Sequence, residues 1–159
     1  MNFTVSAIAK SLADYLAPYF PGVTFCEDPN QQGSNPPILF LQNRYSRLEH
    51  ETGGHWLRCI GLDLTYLEDY NLPDLQQRYQ NAAEALDLVM ETFPYRDGDG
   101  GPHVPLRTYD REWAIDLDAM HYKFELRERV SIPQEYTRMQ TMEYHEEVSD
   151  GPVSKRIRP

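Results

Sequence analysis

The chain has 159 residues, is 40% apolar and 12% aromatic, and carries a formal charge of −10. A length of this order fits one domain that buries roughly 70% of its unfolded surface. The acidic balance argues against sequence-independent nucleic-acid binding and against docking on an anionic membrane, both of which rely on Lys and Arg.

Residues 2–19 open the chain with helical periodicity. Val5, Ile8, Ala9, Leu12 and Leu16 make one apolar stripe, with Ser6, Lys10 and Asp14 off it. Asn2 or Thr4 can cap its start, and Pro21 with Gly22 stops it. A short β-prone run, VTFCE (23–27), predicts a strand, and 28–37 collects turn formers. Residues 38–51 begin apolar and become polar, which suits a strand running out of the core to solvent or a partner.

The TGG at 52–54 predicts a tight turn that pairs 38–51 with 55–68 as a hairpin. In the second strand Trp56, Ile60, Leu62, Leu64 and Tyr66 point one way, and Gly61, Asp63 and Thr65 the other. A helix is expected over 71–93, with Leu75, Tyr79, Ala82, Leu86, Val89 and Phe93 as its stripe, widened by Ala83 and Met90. Asn71 is its expected cap, with Pro73 in the first turn.

Residues 94–105 read as a loop. A strand over 106–117 places Tyr109, Trp113, Ile115 and Leu117 on one side, and a turn at 116–118 leads to a strand over 119–132. That last strand alternates best: Met120, Tyr122, Phe124, Leu126, Val130 and Ile132 against His121, Lys123, Glu125, Arg127, Arg129 and Ser131. After Pro133 the pattern dissolves, so 133–159 is expected to be an extended or partly disordered arm. The order predicts an α+β fold over 1–132: a mostly antiparallel sheet of four or five strands with two helices on one face.

The sequence offers little chemistry. Asp63, Glu68, Asp69 and Asp74 cluster in DLTYLEDYNLPD, but they divide between a strand face, a link and a first helical turn. His50 and His55 flank a Gly-Gly turn with no completing zinc ligand. DGDGG (97–101) fails as a calcium loop, because Gly101, Pro102 and Thr108 stand where a ligand, the turn glycine and the bidentate acid belong. No nucleophile elbow or phosphate-cradling glycine loop appears. Cys26 and Cys59 lie in apolar strand contexts that predict buried, reduced thiols, and two cysteines are too few for the disulfide framework of a small secreted domain. Asp110, Arg111 and Glu112 read as cross-strand charge partners. No catalytic residue, metal ligand or cofactor is therefore assigned, and the chain is not read as an enzyme. Neither a signal-peptide pattern nor an apolar run of about 20 residues is present, so the protein is expected to be made in a cytoplasm or in something assembled there.

Three stretches, YLAPYFPGVTF, IGLDLTYLEDYNLPDLQQRYQNAAEALDLVMETFP and LRTYDREWAIDLDAMHYKFELRERV, carry a resemblance over roughly residues 1–135. Their wording is similar to that of the tail terminator (tail completion) family of tailed phages and prophages of Gram-positive bacteria. The resemblance implies a small α/β virion protein, assembled in the host cytoplasm, that forms a homohexameric ring on the head-proximal end of the tail tube. Such a ring stops tube polymerisation and presents the head-joining surface, so its partners are the tube protein, a head-side connector or stopper and, in contractile tails, the sheath. The family carries no catalytic residues, and no membrane is involved. Another head–tail connector or tail assembly protein is the alternative, and a small-ligand binder or enzyme a more distant one. Candidate subunit or tube contacts are Tyr45 and Arg47 on the polar end of the first long strand, Tyr66, Glu68, Asp69 and Tyr70 in the joint, and Pro133, Tyr136 and Met139 in the arm. Glu68 and Asp69 are also candidate lumen acids, which would let DNA slide through without specific binding.

Overall fold

The structure is a computed structural model and describes residues 3–26, 35–98, 100–116 and 119–132. The first helix, α1 (Val5–Leu16), starts where the Thr4 hydroxyl accepts the Ala7 amide at 3.2 Å, the capping arrangement that a Thr before an apolar stripe favours. A 3₁₀ turn over Ala17–Tyr19 and Gly22, at φ 81°, then redirect the chain. The sheet has six strands: β1 (Thr24–Cys26), β2 (Ile38–His50), β3 (Trp56–Leu67), β4 (Thr92–Tyr95), β5 (Val104–Ile115) and β6 (Met120–Val130). The second helix, α2 (Leu75–Val89), lies between β3 and β4. The α+β class with two α-helices is as expected.

The sheet is larger and more mixed than the expected four or five antiparallel strands. Its order is β1-β2-β3-β6-β5-β4, and β1 runs parallel to β2. The parallel pair arises because β1 and β2 are not a hairpin: α1 delivers β1 to the edge in the direction of β2. The extra strand comes from the end of the expected second helix and the expected loop. Phe93 belongs to β4, not to α2, and Pro94 and Tyr95 pair with Pro105 and Val104. The helix stops at Val89, where Thr108 of β5 donates its hydroxyl to the Met90 carbonyl and its amide to the Glu91 carbonyl. A helix register would bury Phe93 too, and β4 buries it just as fully at 1% exposure.

Nor is Asn71 the cap of α2. Asp74 holds that position without a side-chain capping bond, because its carboxylate accepts from Arg78 Nε at 3.0 Å. The main core lies on one face of the sheet. Ile8, Leu12 and Leu16 of α1 and Tyr79, Ala83 and Leu86 of α2 meet Leu39, Ile60, Leu62, Tyr122, Phe124 and Leu126 of the central strands.

Two bulges break the simple alternation. In β5, Tyr109 pairs with Glu125 but Glu112 with Lys123, so one residue is in excess and Asp110 sits at φ 52°. The parity therefore changes. Trp113 and Ile115 pack against the core as expected, whereas Tyr109 lies on the opposite face, where the uninterrupted pattern does not put it. In β2, Asn43 pairs with Leu62 and Tyr45 with Gly61, leaving Arg44 as the extra residue.

Candidate functional site

The face of the sheet away from the helices carries a small apolar cluster at the β1 corner, Cys26, Ile38 and Phe40 with Leu67, and is otherwise mainly polar, organised around a glycine. Gly61 sits mid-strand on this face of β3, between Tyr45 of β2 and Glu125 of β6. Its missing side chain leaves room for the Tyr45 ring: a Cβ there would lie 2.1 Å from Tyr45 Cε2. The ring crosses the gap and its hydroxyl donates to Glu125 Oε2 at 2.5 Å. Arg127 Nε donates to Glu125 Oε1 at 2.5 Å, and Arg47 Nη2 stands 3.4 Å from Oε2. The Arg44 and Arg47 guanidiniums each lie 5.4 Å from the Tyr45 ring centre, and Arg127 lies 4.4 Å from that of Tyr109. Arg127 also meets Asp110 at 3.0 Å, a cross-strand charge pair of the expected kind.

Glu125 is 3% exposed. Burial alone would raise its pKa, but the Tyr45 and Arg127 hydrogen bonds, with the charges of Arg127 and Arg47, hold it below the usual carboxylate range. The Cys59 thiol beside it is pushed up, first by burial and then by the Glu125 charge. Both cysteines are buried thiols, as their contexts predict.

A second group lies farther along the same face. His121 places Nδ1 2.9 Å from Asp63 Oδ2 and Nε2 2.9 Å from Asp116 Oδ2. Thr65 donates to Asp63 Oδ1 at 3.0 Å. Asp63 is thus on the face the alternation assigns, yet only 7% exposed. Among the described residues, no three His, Cys, Asp or Glu side chains are placed to hold a metal ion.

The joint between β3 and α2 divides the acids that the sequence groups together. Glu68 is 8% exposed and accepts from the Tyr66 hydroxyl at 2.7 Å and Arg78 Nη1 at 3.4 Å, while its amide donates to the Tyr79 hydroxyl at 3.1 Å. Tyr66 is 6% exposed and packs edge-on against Tyr79. Burial first, and the Glu68 hydrogen bond second, push its phenol well above the ordinary value. Both residues therefore serve the interior of the chain, because β3 continues through Leu67 and keeps Tyr66 on the core face. Asp69 and Tyr70 remain outside. Asp69 accepts the Asn71 amide at 3.0 Å, and Tyr70 is 76% exposed. Of the other expected contact residues, Arg47 is exposed and Tyr45 half-buried. Pro133, Tyr136 and Met139 lie outside the described residues.

Sequence reasoning missed three juxtapositions. One is Tyr45 with Glu125 over Gly61, another is His121 with Asp63 and Asp116, and the third is Arg78 shared by Glu68 and Asp74. A lone glycine inside an alternating strand was the signal for the first.

A concavity of about 430 Å3 runs between α1 and the segment after β4 and is lined by Ser6, Lys10, Asp14, Arg96 and His103 among others. Its charges are mixed and it lies open to solvent. The sheet also has two unpaired stretches of edge. β1 covers only Ile38–Phe40 of β2, and β4 only Val104–Arg107 of β5. Among the described residues, no strand pairs with the outer side of Leu41–His50 or of Tyr109–Ile115. No protein-family model matches the sequence, and no curated protein matches it.

Proposed function

We propose that this chain is a structural assembly protein, a tail terminator that forms a ring, six-fold by the resemblance, on the head-proximal end of a phage tail tube. The observation that carries the reading is the sheet itself, left open along both edges by strands much longer than their covering neighbours. Open edges are usually shielded in a lone protein and are natural joints between subunits. The ion pairs of the polar face tie its charges to one another, and its Tyr and Arg side chains are the types that anchor protein interfaces. Exposed Tyr70 and Leu88, at 76% and 86%, extend the surface available to neighbours.

In this reading Asp69, rather than the buried Glu68, is the joint acid that can face a lumen. The tube protein and a head-side connector or stopper are the partners, with the sheath a third in a contractile tail, and DNA passes without specific contacts. The alternative is another head–tail connector or tail assembly protein, which would touch a different end of the tail. A small-ligand reading would rest on the α1 cleft, whose Asp14 and Asp97 offset its Lys10 and Arg96.

Electron microscopy of lysates from a phage lacking the gene tests the proposal. Headless tails with overlong tubes are expected. Tails of normal length, or finished particles, would move the function to a connector or a ligand binder.

A further inference from the structure

We propose that the two open edges are complementary halves of one joint, through which copies of this chain add head to tail in a single antiparallel register. The inference supplies the joint for the ring reading but does not depend on a tail tube.

Strand direction comes first. β3 and β6 are antiparallel, as are β2 with β3 and β5 with β6, so β2 at one side of the sheet runs opposite to β5 at the other. A second copy placed beside the first in the same orientation therefore brings its β5 antiparallel to β2. The ladder simply continues, as in strand addition.

The covering strands then fix the register. Thr108, the first residue of β5 that pairs with β6, stands level with Leu126, Ile60 and Ser46; carrying the row count on along β5 through Arg107–Val104, which pair with β4, brings β4 level with the last stretch of β2, Arg47–His50. Without a slide, the neighbour's β4 would collide with that stretch. A slide toward His50 removes the collision, and it must carry Thr92, level with Arg47, past His50: four ladder rows. At the other end β1 reaches only Phe40, short of Asn43, where the neighbour's β5 then ends at Ile115. The two short strands act as opposite steps that interlock.

An independent constraint gives the same answer. Residues opposed across an antiparallel ladder share a face. A four-row slide takes Glu112 from the Gln42 level to the Arg47 level, with Arg44 as the bulge residue left out of the count. Glu112 and Arg47 both belong to the polar face. The same slide opposes Ile115 to Asn43 and Trp113 to Ser46 on the core-side face, and Ala114 to Tyr45 and Tyr109 to Glu49 on the polar face. An odd slide would put core-side residues opposite polar ones throughout. The even slide also creates an opposite-charge pair, Arg47 with Glu112, which favours this register. A repeated slide is what a closed ring of tilted strands requires, because the tilt returns the last copy to the level of the first.

The test is a disulfide ruler in the full chain. Glu49→Cys with Tyr109→Cys places two thiols opposite each other across the proposed joint. Glu49→Cys with Ala114→Cys places them four rows apart, roughly 13 Å and beyond disulfide reach. Mild oxidation of the first variant should give a ladder of covalent multimers on a denaturing gel, and the second should stay monomeric. In the unmodified protein, amide exchange over 43–49 and 109–115 should slow at least about tenfold between dilute and concentrated samples. Concentration-independent exchange, or equal cross-linking of both variants, would overturn the joint. The two proposals fail separately. A specific ladder from a protein that leaves tube length unchanged removes the terminator reading alone. Normal tube termination by a protein that does not cross-link removes the joint alone.

Discussion

At the scale of single residues, the polar face depends on one absent side chain. Gly61 lets Tyr45 lie flat across the central strand, and Gly61→Ala would drive a methyl group into that ring. The ring must lift away and release Glu125, so the substitution should cost about 1–3 kcal/mol in urea unfolding, the range for overpacking. Removing the ring as well should make the penalty non-additive: Gly61→Ala should cost much less in a Tyr45→Ala background. Glu125 gives a second expectation, in pH. Its folded pKa is depressed, so its contribution is present above the ordinary carboxylate pKa and is lost as pH falls through the folded value. Glu125→Gln should therefore lower stability at neutral pH and flatten the acid limb of the stability profile below about pH 4.5. An unchanged acid limb would mean that other carboxylates dominate it.

At the scale of elements, much of the fold is legible in the sequence, and the exceptions have identifiable causes. β6 is readable because every second residue from Met120 to Leu126 is apolar and no bulge interrupts it. β5 is misread because one extra residue at the Asp110–Arg111 bulge turns Tyr109 to the other face, and nothing local in its composition marks the slip. The end of α2 is misread because Phe93 continues the helical period, whereas the turn after Met90 is held by Thr108, eighteen residues away from it. Tertiary hydrogen bonds set that boundary, not propensity. Thr108→Val removes the hydroxyl from two carbonyls and should cost about 1–3 kcal/mol, with loss of helix signal in the same unfolding step if the turn secures α2. The polar network was legible only as a set of residues on one face. Its pairings join positions such as Tyr45 and Glu125 that share no local pattern.

At the scale of the whole molecule, three buried phenols make the fold sensitive to base. Burial, followed by hydrogen bonds to Glu68, Asp97 and Asp87 respectively, raises the pKa of Tyr66, Tyr95 and Tyr122, that of Tyr95 to about 12. A phenol with a raised folded pKa contributes stability that is intact below its ordinary pKa of 10.0 and is lost as pH rises through the folded value. Stability followed by circular dichroism should hold to about pH 10 and then fall steeply. Tyr122→Phe should soften that fall, and a variant with an unchanged alkaline limb would assign the loss to another group. The same three hydroxyls tie the joint, the segment after β4 and α2 to the core, so alkaline unfolding should be concerted rather than local.

The placement of the two thiols has a practical consequence. Cys26 lies on the outermost strand, held by three ladder pairs, and Cys59 lies in the middle of the sheet. Both are buried in the folded chain. A thiol-reactive dye added to the native protein therefore works as a clock with two hands. Cys26 should be labelled at the rate at which β1 peels from the edge, and Cys59 only at the slower rate of global opening. Mass spectrometry of the singly and doubly labelled chains would read both times without introducing a probe.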